Sequence, residues 1–185
     1  MLVSHGHSDH IEDAVAVARA TNAPVVANFE ICSWLQRKGV RACMAMNKGG
    51  TVTVAGVRVT MVDALHSSSY EENGVTHYLG EAAGYVLRVE NAPTLYFAGD
   101  TGIFGDMRLI AEMYTPEIAC LPIGDNYTMG PEQAARAAQM LGVKQVLPIH
   151  FGTFPALTGT PEALRHLLRG TDIEVIDLKP GETAE

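Results

Sequence analysis

Residues 5–10 read His5-Gly6-His7-Ser8-Asp9-His10, an H-x-H-x-D-H pattern that packs three imidazoles and a carboxylate into six positions. Imidazole nitrogen and carboxylate oxygen together suit Zn, Fe, Mn or Ni. None of the three cysteines (Cys32, Cys43, Cys120) is adjacent, which argues against a closed structural zinc site. A remnant of a histidine tag would repeat His without the interposed Gly, Ser and Asp. Nor would a tag run straight into a helical pattern, as this segment does at Ile11.

Three more candidate ligands stand where predicted strands end. His66 lies in Asp63-Ala64-Leu65-His66-Ser67-Ser68-Ser69, Asp100 in Gly99-Asp100-Thr101, and His150 in Leu147-Pro148-Ile149-His150-Phe151. A single His or Asp at a strand end is ordinary. Their joint occurrence carries the argument, because loops held by a rigid sheet edge are where metal sites are assembled.

The elements that must position these residues alternate between short Val/Ile-rich runs and helical patterns, the signature of a layered α/β architecture. Leu2 to Ser4 reads as the tail of a strand. Ile11 to Ala20 reads as one helix, with Glu12 and Asp13 in its first turn, where the helix dipole favours acids. Ala23 to Ala27 is a predicted strand and Phe29 to Lys38 a second helix, ended by Gly39. Thr51 to Val54 and Val57 to Val62 form a predicted hairpin across Ala55-Gly56. The segment Glu71-Glu72-Asn73-Gly74, with His77 beyond it, reads as a polar loop. Gly84 to Val89 pairs with Thr94 to Ala98. Helices over Met107 to Met113, Pro131 to Leu141 and from Thr160-Pro161-Glu162 then alternate with strands Ile118 to Ile123, Gln145 to Ile149 and Ile173 to Ile176. Gly130 followed by Pro131 suits a helix start. No repeat or linker interrupts residues 1–185, so a single domain is expected.

Composition narrows the function. Of 185 residues, 47% are hydrophobic and 18% charged, enough to build a core. Thirteen Lys+Arg against 21 Asp+Glu give a formal charge of −8, which disfavours a nucleic-acid surface built on phosphate contacts. The apolar runs are too short to span a bilayer, and no signal peptide opens the chain. Three widely spaced cysteines read as buried thiols in a reducing compartment. A soluble cytoplasmic globular domain is therefore expected.

The ordered series His5-Gly6-His7-Ser8-Asp9-His10, His66, Gly99-Asp100-Thr101 and His150 resembles the ligand series of the metallo-β-lactamase superfamily. Four further stretches add to the likeness: Gly99 to Met107, Leu121 to Pro131, His66-Ser67-Ser68-Ser69 and Pro148-Ile149-His150-Phe151. Within the superfamily they resemble the UPF0173 metal-dependent hydrolases, relatives of the L-ascorbate-6-phosphate lactonases. The resemblance implies an αβ/βα sandwich and two divalent cations, Zn or Mn foremost, with Fe or Ni also admitted. It implies His5, His7 and His66 at the first metal, Asp9, His10 and His150 at the second, and Asp100 bridging. A metal-bridging hydroxide would then attack an ester, lactone or phosphoester of a small-molecule substrate. Asp9 can orient that nucleophile and pass its proton to the leaving group.

Family members begin with a β-hairpin region that nothing before Met1-Leu2-Val3-Ser4 matches. About 30–45 residues are expected to be missing, making this an N-terminally truncated form. Two other readings follow: a non-catalytic or inactive metal-binding fragment, or a nuclease of the same superfamily. Asp125 and Thr128, near the start of the Pro131 helix, are candidates for contacts to substrate or to the ligands. His77 and His166 read as solvated, and relatives of this kind suggest a homo-oligomer.

Overall fold

A computed structural model describes residues 1–179 and 181–183. The N-terminal half carries a one-turn helix α1 (Ser8–Ile11), helix α2 (Ala14–Thr21), strand β1 (Val25–Asn28), helix α3 (Phe29–Arg37) and strand β2 (Cys43–Met46). Then follow β3 (Thr51–Val54), β4 (Val57–Asp63), β5 (Ser69–Glu72), β6 (Val75–Tyr78), β7 (Ala83–Arg88) and β8 (Leu95–Phe97). The remainder alternates: α4 (Met107–Tyr114), β9 (Ile118–Pro122), α5 (Pro131–Leu141), β10 (Gln145–Ile149), α6 (Pro161–Leu167) and β11 (Glu174–Val175).

Seven strands form one mixed sheet in the order β11-β10-β9-β8-β7-β4-β3. The β8, β9, β10 and β11 strands run parallel, as crossover helices require, and β3, β4, β7 and β8 pair antiparallel. A second, two-stranded parallel sheet pairs β1 with β2, and Leu2 adds a parallel bridge to Val26.

The period of two along each strand explains how the layers stack. Met61 and Tyr85 turn one way, with Val59 and Ala83, to pack on Val26 and Met46 between the two sheets. Their neighbours Val62 and Val86 turn the other way, joining Tyr96 against Met107 and Ile110 of α4, the alanines of α5 and Leu164 of α6. On the far side of the small sheet, Val25 and Ala27 pack on Ile11, Ala14, Ala18, Ile31 and Leu35. The result is helix, sheet, sheet, helix: the αβ/βα sandwich. Among the described residues, no helix is long and apolar enough to cross a membrane.

Most predicted elements are present with ends shifted by a residue or two. Three differences matter. The predicted helix from Ile11 is broken at Glu12-Asp13, separating the turn that carries Asp9 and His10 from the α2 helix that packs on the core. Strand β2 was not expected, because Cys43-Met44-Ala45-Met46 lacks β-branched residues. The predicted polar loop is instead the β5–β6 hairpin, turning at Asn73 (φ 53°) and Gly74 (φ 74°), both left-handed as a type I′ turn requires.

One buried hydrogen bond ties the two sheets. The Tyr85 hydroxyl, on the large sheet, donates to the Val3 carbonyl beside the small one at 2.7 Å, and Tyr85 is fully buried. Tyr85→Phe keeps the ring but leaves that carbonyl without this donor. Its unfolding free energy should fall by about 1–2 kcal/mol, read from the urea midpoint at unchanged slope. An unaltered midpoint would show that the contact contributes nothing.

Candidate metal centre

All seven ligand candidates converge at one end of the sandwich. His5 and His7 follow the bridge at Leu2, Asp9 and His10 sit on α1, His66 follows β4, Asp100 follows β8, and His150 follows β10. His150 has φ 54°, a left-handed backbone rare outside glycine, and sits at the point where β10 stops. Two glycines make room for these turns. Gly99 has φ 63°, and a Cβ there would lie 2.8 Å from Ser4 Cβ and 3.1 Å from the Ala83 carbonyl. A Cβ on Gly124 would come within 2.3 Å of the His150 carbonyl.

Polar residues fasten the loops to one another. Ser68 Oγ accepts from the Gly6 amide at 3.0 Å and donates to the Leu79 carbonyl, joining the His5–His10 loop to the His66 loop. Thr101 Oγ1 accepts from the Leu65 amide at 2.9 Å, while the Gly102 amide returns a bond to the Leu65 carbonyl at 3.0 Å. These bonds join the His66 loop to the Asp100 loop. Ser68 and Thr101 were not singled out from the sequence, where only their place beside ligand candidates marks them.

Two nitrogen-rich groups meet at one carboxylate. His5 Nε2 lies 3.1 Å from His7 Nδ1, and His66 Nε2 lies 3.2 Å from the same atom. Asp9 Oδ2 is 3.4 Å from both His10 Nε2 and His150 Nε2. Asp100 Oδ2 stands between the groups, 3.8 Å from His5 and His66 Nε2, 3.3 Å from His10 Nε2 and 3.1 Å from His150 Nε2. Three sets among the described residues could hold a metal ion: His5/His7/His66, His5/His10/Asp100 and Asp9/His10/His150, each with its ligand atoms within 4.8 Å of one another.

The donor set fits a cation better than a hydrogen-bond network. Nitrogens at about 2.0–2.1 Å from a tetrahedral metal stand about 3.3–3.4 Å apart, close to the spacing of His5, His7 and His66. His10 Nε2 and Asp100 Oδ1 are buried without a hydrogen-bond partner. Outer contacts present the inner nitrogens: Ser4 Oγ lies 3.1 Å from His5 Nδ1, and Ser67 Oγ 3.1 Å from His7 Nε2. His150 departs from that pattern, since its Nδ1 is buried with no partner.

Electrostatics favour neutral imidazole on one side. Burial, with the neighbouring His10, holds His5 down to about 2. Burial lowers His66 as well. Burial also acts on His10, but the Asp100 carboxylate outweighs it and raises that imidazole. Asp100 in turn lies below the usual carboxylate range, because His10, His150 and His5 outweigh its burial.

The centre opens into a cavity of about 870 Å³ whose walls include His7, Asp9, His66, Asp100 and His150. Glu71 and Thr76, opposite one another across the β5–β6 hairpin, line one wall, and Tyr127 and Phe154 stand in another. Asp125 and Thr128 are not in the cavity wall; their neighbour Tyr127 is. Asp125 instead sits against Gly130 at the start of α5. His77 pairs with Tyr70, on the hairpin face away from Glu71, and His166 is exposed on α6.

A profile of the beta-lactamase superfamily domain matches residues 1–151. A UPF0173 metal-dependent hydrolase of Rubrobacter xylanophilus is 52% identical over 185 residues, covering 98% of this chain and 76% of the relative. The chain belongs to the beta-lactamase superfamily, in its UPF0173 group of metal-dependent hydrolases. A second member of the group, from Solibacter usitatus, is 50% identical over 185 residues, covering 100% of this chain and 80% of its own. Igni18, a metallo hydrolase of Ignicoccus hospitalis, superposes with a TM-score of 0.87 at 34% identity, over 99% of this chain and 77% of its own. The chain thus spans about three quarters of these relatives.

His5 supplies a pH test. Its folded-state value lies far below the ordinary 6.5, so between about pH 6.5 and pH 2 the unfolded chain binds a proton there that the folded chain does not. Stability from this group therefore falls as pH falls through that window, by up to about 1.4 kcal/mol per unit. Raised His10 acts in the opposite sense, so the comparison must isolate His5. In chelator, the stability advantage of wild type over His5→Gln should shrink by on the order of 1–2 kcal/mol between about pH 6.5 and pH 5, followed by urea unfolding. A pH-independent difference would contradict a neutral buried His5.

Proposed function

We propose that this chain hydrolyses an ester, lactone or phosphoester of a small molecule, using two divalent cations, Zn or Mn. His5, His7 and His66 would hold one, Asp9, His10 and His150 the other, with Asp100 shared. The observation that carries the reading is Asp100 Oδ2, buried at 3.1–3.8 Å from four imidazole nitrogens that belong to both groups. When bound, such a pair of cations supplies a water acidic enough to attack near neutral pH and a Lewis acid for the substrate oxygen.

The chain's own groups supply the remainder. The neutral imidazoles of His5 and His66 keep their lone pairs available without first losing a proton. Asp9 is exposed to the cavity, with Oδ2 beside His10 and His150. We assign its other oxygen, Oδ1, to take the proton of the attacking water and return it to the leaving group. The Ser68 and Thr101 bonds hold the ligand loops in place before substrate arrives, which lowers the reorganisation the reaction would otherwise need.

Elemental analysis of the purified chain should find close to two divalent cations per chain. Asp100→Ala should bind at most one and lose hydrolysis by about a thousandfold or more. Asp9→Asn should keep at least one cation yet slow turnover by about a hundredfold or more. A chain that carries no metal after growth with Zn and Mn would overturn the reading.

A further inference from the structure

The cavity walls differ in chemistry, and that difference bears on the part of the substrate that does not react. None of the described residues lining the cavity is Lys or Arg. One wall comes from the β5–β6 hairpin, where Ser69, Glu71 and Thr76 share a face and bring hydroxyls and a carboxylate. Another part of the lining is apolar, made by Tyr127, Phe154, Pro155 and Ala156.

The apolar wall is built by ordered loops. Asp125 and Asn126 both adopt left-handed backbone (φ 68° and 54°), and the Asp125 amide bonds the Met129 carbonyl at 3.0 Å, closing the turn that presents Tyr127. The loop after His150 closes by bonds from the Gly152 amide to the Leu157 carbonyl and from the Leu157 amide to the Phe154 carbonyl. Tyr127 and Phe154 nonetheless remain 61% and 49% exposed. Large apolar side chains left in water beside a cavity gain from covering by a ligand.

We infer that the substrate presents an apolar group without negative charge to the Tyr127/Phe154 wall, and that Glu71 disfavours an anionic group in the cavity. The inference rests on the hydrolytic reading above and narrows its substrate class. Cations held by the histidine cluster would serve the reacting group. A second phosphate or carboxylate elsewhere on the substrate would meet Glu71 and no basic partner, on a chain of formal charge −8. Beside the α5 N-terminus, at Gly130, stands the Asp125 carboxylate, a further acid rather than a basic partner.

The test uses three 4-nitrophenyl esters that differ chiefly in the charge of the acyl end, each corrected for its uncatalysed hydrolysis: butyrate (neutral), succinate (anionic) and 4-(trimethylammonio)butyrate (cationic). At low salt, kcat/KM for the neutral and cationic esters should exceed that for the anionic one by about tenfold. Glu71→Gln should narrow the ratio by about two- to fivefold, and Glu71→Lys should narrow it further or reverse it. Tyr127→Ala with Phe154→Ala should raise KM for butyrate and flatten any gain with acyl length. Binding of the inert anilides of butyric and succinic acid, followed by calorimetry, should show the same order. If the anilides keep that order while no ester is cleaved, the hydrolytic reading has failed and the wall assignment stands. Equal handling of neutral and anionic compounds, an unchanged ratio in Glu71→Lys, or no anilide binding would overturn the inference.

Discussion

The imidazoles of His5, His10, His66 and His150 crowd around Asp100 Oδ2, with their Nε2 atoms 3.1–3.8 Å away. Left alone, such a cluster would open or take up protons. It stays closed because each member is carried by a loop whose other end is a strand or helix in a packed layer. The loops are also bonded to one another through Ser68 and Thr101. The scaffold therefore gathers groups of which only some attract one another: Asp100 draws in His10, while the crowded imidazoles oppose one another's protonation.

The stacking of the sheets explains how four ligand-bearing segments reach one place. The large sheet contributes His66, Asp100 and His150 from strands whose alternate side chains fill two different interiors. The small sheet, clamped to it through Tyr85, brings the segment with His5, His7, Asp9 and His10 to the same end. A shift of one residue in β4 or β7 would exchange Met61 for Val62 or Tyr85 for Val86, inverting both interiors. Register in the core and spacing in the metal centre are thus one constraint.

Much of this was legible in the sequence. The ligand candidates stood in a dense local pattern and at strand ends, and the strands themselves were marked by β-branched runs. The αβ/βα layering followed from the alternation of elements together with the family likeness. Less legible were features whose determinants lie far apart in the chain. Strand β2 has no β-branched residue and exists because β1 offers it an edge and Met46 a place between the sheets. The β5–β6 hairpin was hidden by its polar flanks, although Asn73-Gly74 is a strong turn signal. The cavity wall was missed for a related reason: Tyr127 belongs to it and its neighbours Asp125 and Thr128 do not, a choice made by two left-handed residues that sequence pattern does not reveal.

The β5–β6 hairpin separates two tasks by parity. Ser69, Glu71 and Thr76 face the cavity. Tyr70 and Glu72 face α3, where the Tyr70 ring meets Trp34 edge-on with centroids 5.3 Å apart, and Glu72 pairs with Lys38, which itself lies over the Trp34 ring. Attachment and display therefore use different residues of the same short ribbon. Natural variation can redraw the display positions without loosening the attachment. One scaffold could in this way diversify across substrates while its metal-binding end stays constant.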